Sequence, residues 1–323
     1  MGLASRPAGA RARRQDVDGI VLLDKPAGAT SNQALQRVRR WLEAAKAGHA
    51  GTLDPMATGM LPLCFGQATK ACGQLLGSRK AYRATVRLGE STDTGDADGQ
   101  VIARAAVPVL EPAAVDAVLS ALTGDRRQVP PMYSALKRDG RPLYELARRG
   151  ETVEREARDI HIASLALRAQ HADTLEFEVV CSKGTYVRVL AEEIAAGLGT
   201  LGHLTALRRL WVEPFHETEM VAIDALERWA GAGGWEQGAP PGLMPVDRAF
   251  EGLPRIDLDA RQGLHLRQGR PLEPSVAREA ATQWRVYGVD GGFLGLVAPG
   301  EDGWLRLQRL FVQGAGAQGP EKS

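Results

Sequence analysis

Cysteine is scarce in this chain. The 323 residues include only Cys64, Cys72 and Cys181. None of them forms a C-x-x-C pair or a Cys/His ligand spacing, which argues against a disulfide framework and a zinc site and makes a reducing cytoplasm the expected compartment. Long apolar runs are also missing: no segment reaches the roughly 20 residues that a membrane-spanning helix needs. The stretch from Met1 to Gln15 is rich in Arg, Ala and Gly and has no apolar core, so residues 1–16 are read as a disordered basic tail rather than a signal peptide. An excess of charge is absent as well. Forty Lys and Arg face 39 Asp and Glu, so net charge announces no partner and local patterning must carry that argument. Strict alternation of strands and helices is lacking too, which points to an α+β fold with a mixed, largely antiparallel sheet rather than a doubly wound one.

What the chain does contain is a carboxylate in a glycine-punctuated loop, Gly48-His49-Ala50-Gly51-Thr52-Leu53-Asp54-Pro55-Met56-Ala57-Thr58-Gly59. Glycine permits positive φ and close backbone approach, and Pro55 keeps Asp54 from being absorbed into a helix. An ordinary Asp-Pro turn would look the same in isolation. Upstream, Gly19 to Pro26 reads as a buried strand ended by proline, and Ser31 is expected to cap a helix with Leu35, Val38 and Leu42 on one face. Downstream, Tyr82, Ala84, Val86 and Leu88 alternate with Arg83, Thr85 and Arg87 as a half-buried strand. Leu175, Phe177, Val179 and Cys181 repeat that pattern before Ser182-Lys183-Gly184-Thr185 turns the chain into a helix, which places Tyr186 and Arg188 at a strand-to-helix junction. Thr92 to Gly99 is acidic but lacks the ligand register of a calcium loop, so a polar turn between strands is expected.

Between Gly124 and Arg158 arginines and lysines are interleaved with Met132, Tyr133 and Tyr144, a composition suited to gripping a phosphate backbone, although Glu145, Glu151, Glu154 and Glu156 equally suit a solvated excursion. From Gly252 onward a second, β-rich unit is expected, with strands over Trp284–Val289, Phe293–Val297 and Trp304–Val312 joined at Asp290-Gly291 and Asp302-Gly303. The expected organisation is thus a catalytic domain over 17–250 with an inserted thumb-like segment at 124–158, a small domain over 252–314 and a flexible tail over 315–323.

Five separated segments, Gly48 to Pro62, Lys80-Ala81-Tyr82-Arg83, Thr92 to Gly99, Lys183 to Arg188 and Leu207-Arg208-Arg209-Leu210, together resemble the bacterial TruB family of tRNA pseudouridine synthases. The resemblance runs from Gly19 to Phe250, and the last unit is similar to the PUA-type RNA-binding module of that family. It implies conversion of uridine 55 in the tRNA T-loop to pseudouridine, with no metal and no cofactor, by a monomer that binds the T-arm and elbow of tRNA and touches no membrane. The residues agree with that implication: exchanging a C–N for a C–C glycosidic bond is redox neutral and asks for one well-placed carboxylate.

By the same resemblance Asp54 is the catalytic residue, Tyr82 stacks on the target uracil, Arg188 pairs with Asp54, Tyr186 hydrogen-bonds in the pocket and Leu207 lines it. His49 enters the space the base has left, Lys25 supports the catalytic loop, and Asp96 touches flipped-out nucleotides. A guide-dependent pseudouridine synthase would share these motifs, and a non-catalytic tRNA chaperone would keep the basic segment and the module without needing Asp54.

Overall fold

Apolar alternation builds the centre of the molecule, which a computed structural model describes over residues 15–134, 136–138, 140–277 and 281–311. Most of the tail expected over 1–16 and all of the tail expected over 315–323 lie outside the described residues. In chain order the first elements are β1 (Gly19–Lys25), α1 (Ser31–Trp41), β2 (Ala47–His49), β3 (Thr58–Phe65), α2 (Cys72–Gly77), β4 (Lys80–Leu88), β5 (Glu90–Thr92) and β6 (Val101–Arg104). Then come α3 (Pro112–Ala121), β7 (Gly124–Gln128), β8 (Lys137–Arg138), β9 (Arg141–Pro142), α4 (Leu143–Ala147), β10 (Arg158–Gln170), β11 (Thr174–Cys181), α5 (Val187–Gly197) and β12 (Gly202–Val212). The chain finishes with β13 (Val221–Ala222), α6 (Ile223–Gly231), β14 (Arg255–Asp257), α7 (Ala260–Arg267), β15 (Trp284–Tyr287), β16 (Phe293–Pro299) and β17 (Leu305–Leu310).

The main sheet runs β13-β1-β3-β12-β4-β11-β10-β7, with β2 also paired to β3. Within this sheet, among the described residues, only β1/β13 and β3/β12 are parallel, so the expected mixed, largely antiparallel α+β architecture is the observed one. On β4 and β11 the alternating apolar residues are buried, and they pack with Val187, Leu190, Ala191 and Ile194 of α5 and Ala34, Leu35 and Val38 of α1. The opposite face is charged. There Arg83 pairs with Glu178 at 2.7 Å, Arg168 reaches the same carboxylate, and Arg208 meets Asp24 at 2.9 Å.

β1 and β3 are largely apolar because both of their faces are covered. Val21, Leu23, Leu61 and Leu63 enter the core under α1 and α5, whereas Ile20, Leu22, Met60 and Cys64 enter a second core shared with the C-terminal unit. That shared core holds Phe250, Phe293 and Phe311, whose ring centroids lie 5.1–5.9 Å apart. The C-terminal unit has four strands in the order β14-β15-β16-β17 rather than three. Its additional strand, Arg255–Asp257, is too short and polar to register as a pattern and pairs in parallel with β15. It also keeps a core of its own around Ile256, Leu266, Trp284, Val286 and Val297.

One expected cap is corrected. Thr30, not Ser31, is the N-cap of α1: its hydroxyl accepts from Gln33 N–H while the Gln33 side chain reaches back to the Thr30 amide. Ser31 is thereby freed for another task. In the 124–158 segment, the first five residues form the edge strand β7, paired with β10. Arg126 is accordingly held at the sheet edge by Glu193 at 3.5 Å and the Ala121 carbonyl at 3.2 Å.

Candidate active site

Six hydrogen bonds fasten the loop between β2 and β3, and Asp54 sits in its middle. Ser31 Oγ accepts the Leu53 amide at 2.8 Å and donates to the Leu53 carbonyl at 3.1 Å, which clamps the residue immediately before Asp54. The Pro55 carbonyl accepts from Gly28 N at 2.8 Å and from Lys25 Nζ at 3.3 Å, which clamps the residue immediately after. Arg209 of β12 donates to Gly51 O at 3.0 Å and to Met60 O at 2.6 Å and so ties both ends together. Two glycines make that closure possible. Gly51 has φ 90° and Gly59 φ 95°, and a Cβ at residue 59 would lie 2.2 Å from the Arg209 carbonyl oxygen.

The junction between β11 and α5 brings the second half of the site. Gln128 of β7 donates to the Tyr186 carbonyl at 3.2 Å and accepts the Tyr186 amide at 2.8 Å, fixing where α5 begins. Arg188, in the first turn, then points across at Asp54, with Nε 3.1 Å from Oδ2. Its remaining donors reach Thr94 O at 2.9 Å, Tyr133 O at 2.6 Å and the Asp96 carboxylate at 3.6 Å. Asp96 is itself held by the Thr94 hydroxyl at 2.6 Å and the Asp98 amide at 3.2 Å, so the acidic turn serves as the back support of the arginine.

Asp54, Tyr82, Tyr186, Arg188 and Leu207 line one cavity of about 280 Å³, near the lower end of ligand-binding pockets. Of the other expected site residues, Lys25 is fully buried behind the loop and Asp96 lies behind Arg188. His49 sits on β2 opposite Leu63 and is not part of the cavity lining.

Two lining residues, Lys80 and Arg209, were not anticipated as site residues. Lys80 spends its ammonium on the carbonyls of Leu75, Leu76 and Ser78 at the end of α2. Both are charged residues at strand positions that face inward, and each falls in one of the segments that carry the family resemblance, two signals that could have marked them.

The electrostatics follow from this enclosure. Burial pushes the Asp54 carboxyl above its ordinary value; Arg188 pulls it back, Asp96 and Asp98 push it further, and Lys25 counters them. About a third of the Asp54 side chain is open, and that opening is part of the cavity lining. Burial lowers Lys25 and Lys80 to about 8 each. The phenols of Tyr82 and Tyr186 are raised, again chiefly by burial, with Arg209 beside the first and the Ser134 hydroxyl beside the second acting in the other direction. Among the described residues no group of His, Cys, Asp and Glu is arranged to hold a metal ion, and no helix is long and apolar enough to cross a membrane.

The site thus sets the Asp54–Arg188 pair on the wall of a cavity that two tyrosines also line, carried by a mixed sheet. The same backbone fold occurs in the structure of an H/ACA RNP bound to a substrate RNA containing 2′-deoxyuridine, with TM-score 0.69 and 20% identity over 91% of this chain and 85% of that one. It occurs likewise in a Cbf5-Nop10-Gar1 complex, with TM-score 0.66 and 22% identity over the same shares. Family models match three consecutive stretches. They are TruB family pseudouridylate synthase (N terminal domain) at 39–187, tRNA pseudouridylate synthase B C-terminal domain at 188–251, and Pseudouridine synthase II TruB, C-terminal, at 254–311. The tRNA pseudouridine synthase B of Aromatoleum aromaticum is 53% identical over 95% of this chain and 97% of its own length; that of Chromohalobacter salexigens is 48% identical over 93% and 96%. The chain belongs to the TruB family of pseudouridylate synthases.

Proposed function

We propose that the protein converts uridine 55 in the T-loop of tRNA to pseudouridine, alone and without metal or cofactor, with Asp54 as the catalytic carboxylate. The observation that carries this reading is the Asp54–Arg188 pair at 3.1 Å on a cavity walled by Tyr82, Tyr186 and Leu207. Arg188 favours the ionised carboxylate, the form that acts as nucleophile or charge stabiliser, against the burial that opposes it. In the reaction the N1–C1′ bond of uridine breaks and a C5–C1′ bond forms, while C5 releases its proton and N1 gains one. Asp54 attacks C1′ or C6, or stabilises positive charge at C1′ while the ring turns.

A base must leave the RNA stack to reach Asp54, at a cost of a few kcal/mol. Stacking on Tyr82 offsets about 1–3 kcal/mol of that. In this reading His49, outside the cavity, fills the space left in the RNA, Lys25 and Asp96 hold the loop and Arg188, and the basic segment together with the PUA-like C-terminal unit grips the rest of the tRNA. The names carried by the relatives support tRNA as the substrate. A monomer in the cytoplasm is the form we assign to the working enzyme.

The test is release of tritium from tRNA labelled at uridine C5, with purified protein as the only macromolecule besides the substrate and EDTA present. Release should depend on residue 55 being uridine, and Asp54→Asn should abolish it while tRNA binding stays within a few-fold. Release that persists after replacement of uridine 55 by cytidine, or that needs another component, would sink the proposal.

A further inference from the structure

Arg209 is among the largest fully buried side chains of the molecule, with 1% of its surface exposed, yet among the described residues no carboxylate lies within ion-pairing distance of it. Burying a cation without a counter-charge costs free energy that an apolar side chain of similar volume would not. Its donors go instead to two backbone carbonyls, Gly51 O and Met60 O, which bracket Asp54 from either side. Arg209 also lies directly opposite Tyr82 in the antiparallel β12/β4 pairing and forms part of the cavity wall with Asp54, Tyr82 and Leu207.

Its surroundings are built to accept that one side chain. Gly51 leaves room for Nη1, which would lie 3.1 Å from a Cβ at that position, and Gly59 lets β3 pass against the Arg209 backbone in the parallel β3/β12 pairing. Arg209 thus meets the carboxylate loop from the strand that pairs with the one bearing Tyr82. The planar fork of an arginine can bridge the two ends of that loop because its Nε and Nη donors diverge in fixed directions, which a lysine ammonium cannot reproduce.

We infer that Arg209 is a positioning residue of the uridine reaction: one guanidinium fixes the two ends of the Asp54 loop relative to Tyr82, so that the carboxylate and the ring that stacks on uracil are held at a set separation. The inference rests on the proposed roles of Asp54 and Tyr82. Arg209 acts through them and touches no reacting atom itself.

The experiment compares Arg209→Gln and Arg209→Lys in the full-length protein, measuring the single-turnover rate of pseudouridine formation and the equilibrium affinity for tRNA well below each variant's melting temperature. A merely structural arginine would leave the rate of the folded fraction unchanged or move rate and affinity together. Positioning predicts a split: about 100-fold slower turnover for Gln and about tenfold for Lys, each with tRNA affinity within about threefold, since small misplacements of a reacting group cost rates of that order. A rate reduced less than about tenfold in a folded Gln variant, or a parallel fall in affinity, overturns the inference. Should Gln fail to fold, Lys carries the test, and a wild-type rate there is equally fatal. If neither folds, Arg209 belongs to the core and the inference is rejected. Asp54→Asn, run alongside, separates the two readings: activity in that variant removes Asp54 from the reaction whatever Arg209 does, whereas a dead Asp54→Asn beside a normal Arg209→Gln removes only the role of Arg209.

Discussion

Ser31 and Leu53 exchange two hydrogen bonds, at 2.8 and 3.1 Å, across 22 residues of chain, and Asp54 is the next residue. Both groups are buried, so Ser31→Ala leaves an amide and a carbonyl without partners, at a cost of about 1–3 kcal/mol. The Ala variant should unfold at lower urea and turn over more slowly at unchanged tRNA affinity, because the missing clamp adjoins the catalytic carboxylate rather than the RNA surface. Urea unfolding and single-turnover kinetics check both effects. A variant with the wild-type midpoint and rate would mean that Lys25, Gly28 and Arg209 hold the loop without it.

A second expectation concerns acid. The folded-state pKa of Asp54 is raised by burial, so the stability it contributes is present at low pH and fades as pH rises through that value, while activity, which needs the carboxylate, appears over the same rise. The acid limb of the pH–rate profile should therefore lie above the ordinary aspartate value of 3.8. Arg188→Met removes the cation 3.1 Å away and should move that limb to higher pH, and Arg188→Lys should move it less. An acid limb that stays in place in the Met variant would detach the titration from Asp54.

How far the sequence disclosed this site depends on the range of the interaction. Alternation at Tyr82–Leu88 and Leu175–Cys181 is local, and both strands appear where the pattern places them. The Asp54 loop announced itself through its glycines and proline. The role of Ser31 did not, since Thr30 and Ser31 are equally good cap residues and only the packing of α1 under the loop decides which hydroxyl is left over. Arg209 stayed hidden for a similar reason. It meets Gly51 and Met60 across 158 and 149 residues, a contact created by the parallel β3/β12 pairing, which no single-segment pattern encodes. Arg188, by contrast, was singled out on family resemblance; the structure adds the Thr94, Tyr133 and Asp96 contacts that aim it.

The basic segment divides into two kinds of arginine. Arg126 is committed to Glu193 and the Ala121 carbonyl, whereas Arg141, Arg148 and Arg149, around β9 and α4, are exposed. If the segment grips phosphates, changing the latter three to Gln should weaken tRNA binding and flatten its dependence on salt, by about 0.9 in the log–log slope for each phosphate that is no longer neutralised. Arg126→Gln should leave the slope alone and lower stability instead. Equal slopes for the wild type and the triple variant would make the segment a solvated surface.

The C-terminal unit carries the last expectation, because its attachment is apolar. Phe293 and Phe311 close over Phe250, Ile20, Leu22 and Met60, while Tyr287 donates to Asp247 at 2.7 Å and Lys70 to the Leu310 carbonyl at 2.7 Å. Ending the chain after Phe250 would return those side chains to water, and each large apolar group re-exposed costs about 1.5–3 kcal/mol. The truncated protein should therefore melt well below the intact one even though every residue of the candidate site precedes the cut. Phe311→Ala in the full chain should cost about 3–5 kcal/mol for the same reason. Because β1 and β3 contribute one face to each core, urea should unfold the intact protein in a single transition. Two separated transitions, or a truncated chain that melts at the intact temperature, would show that the inner core stands without its cover.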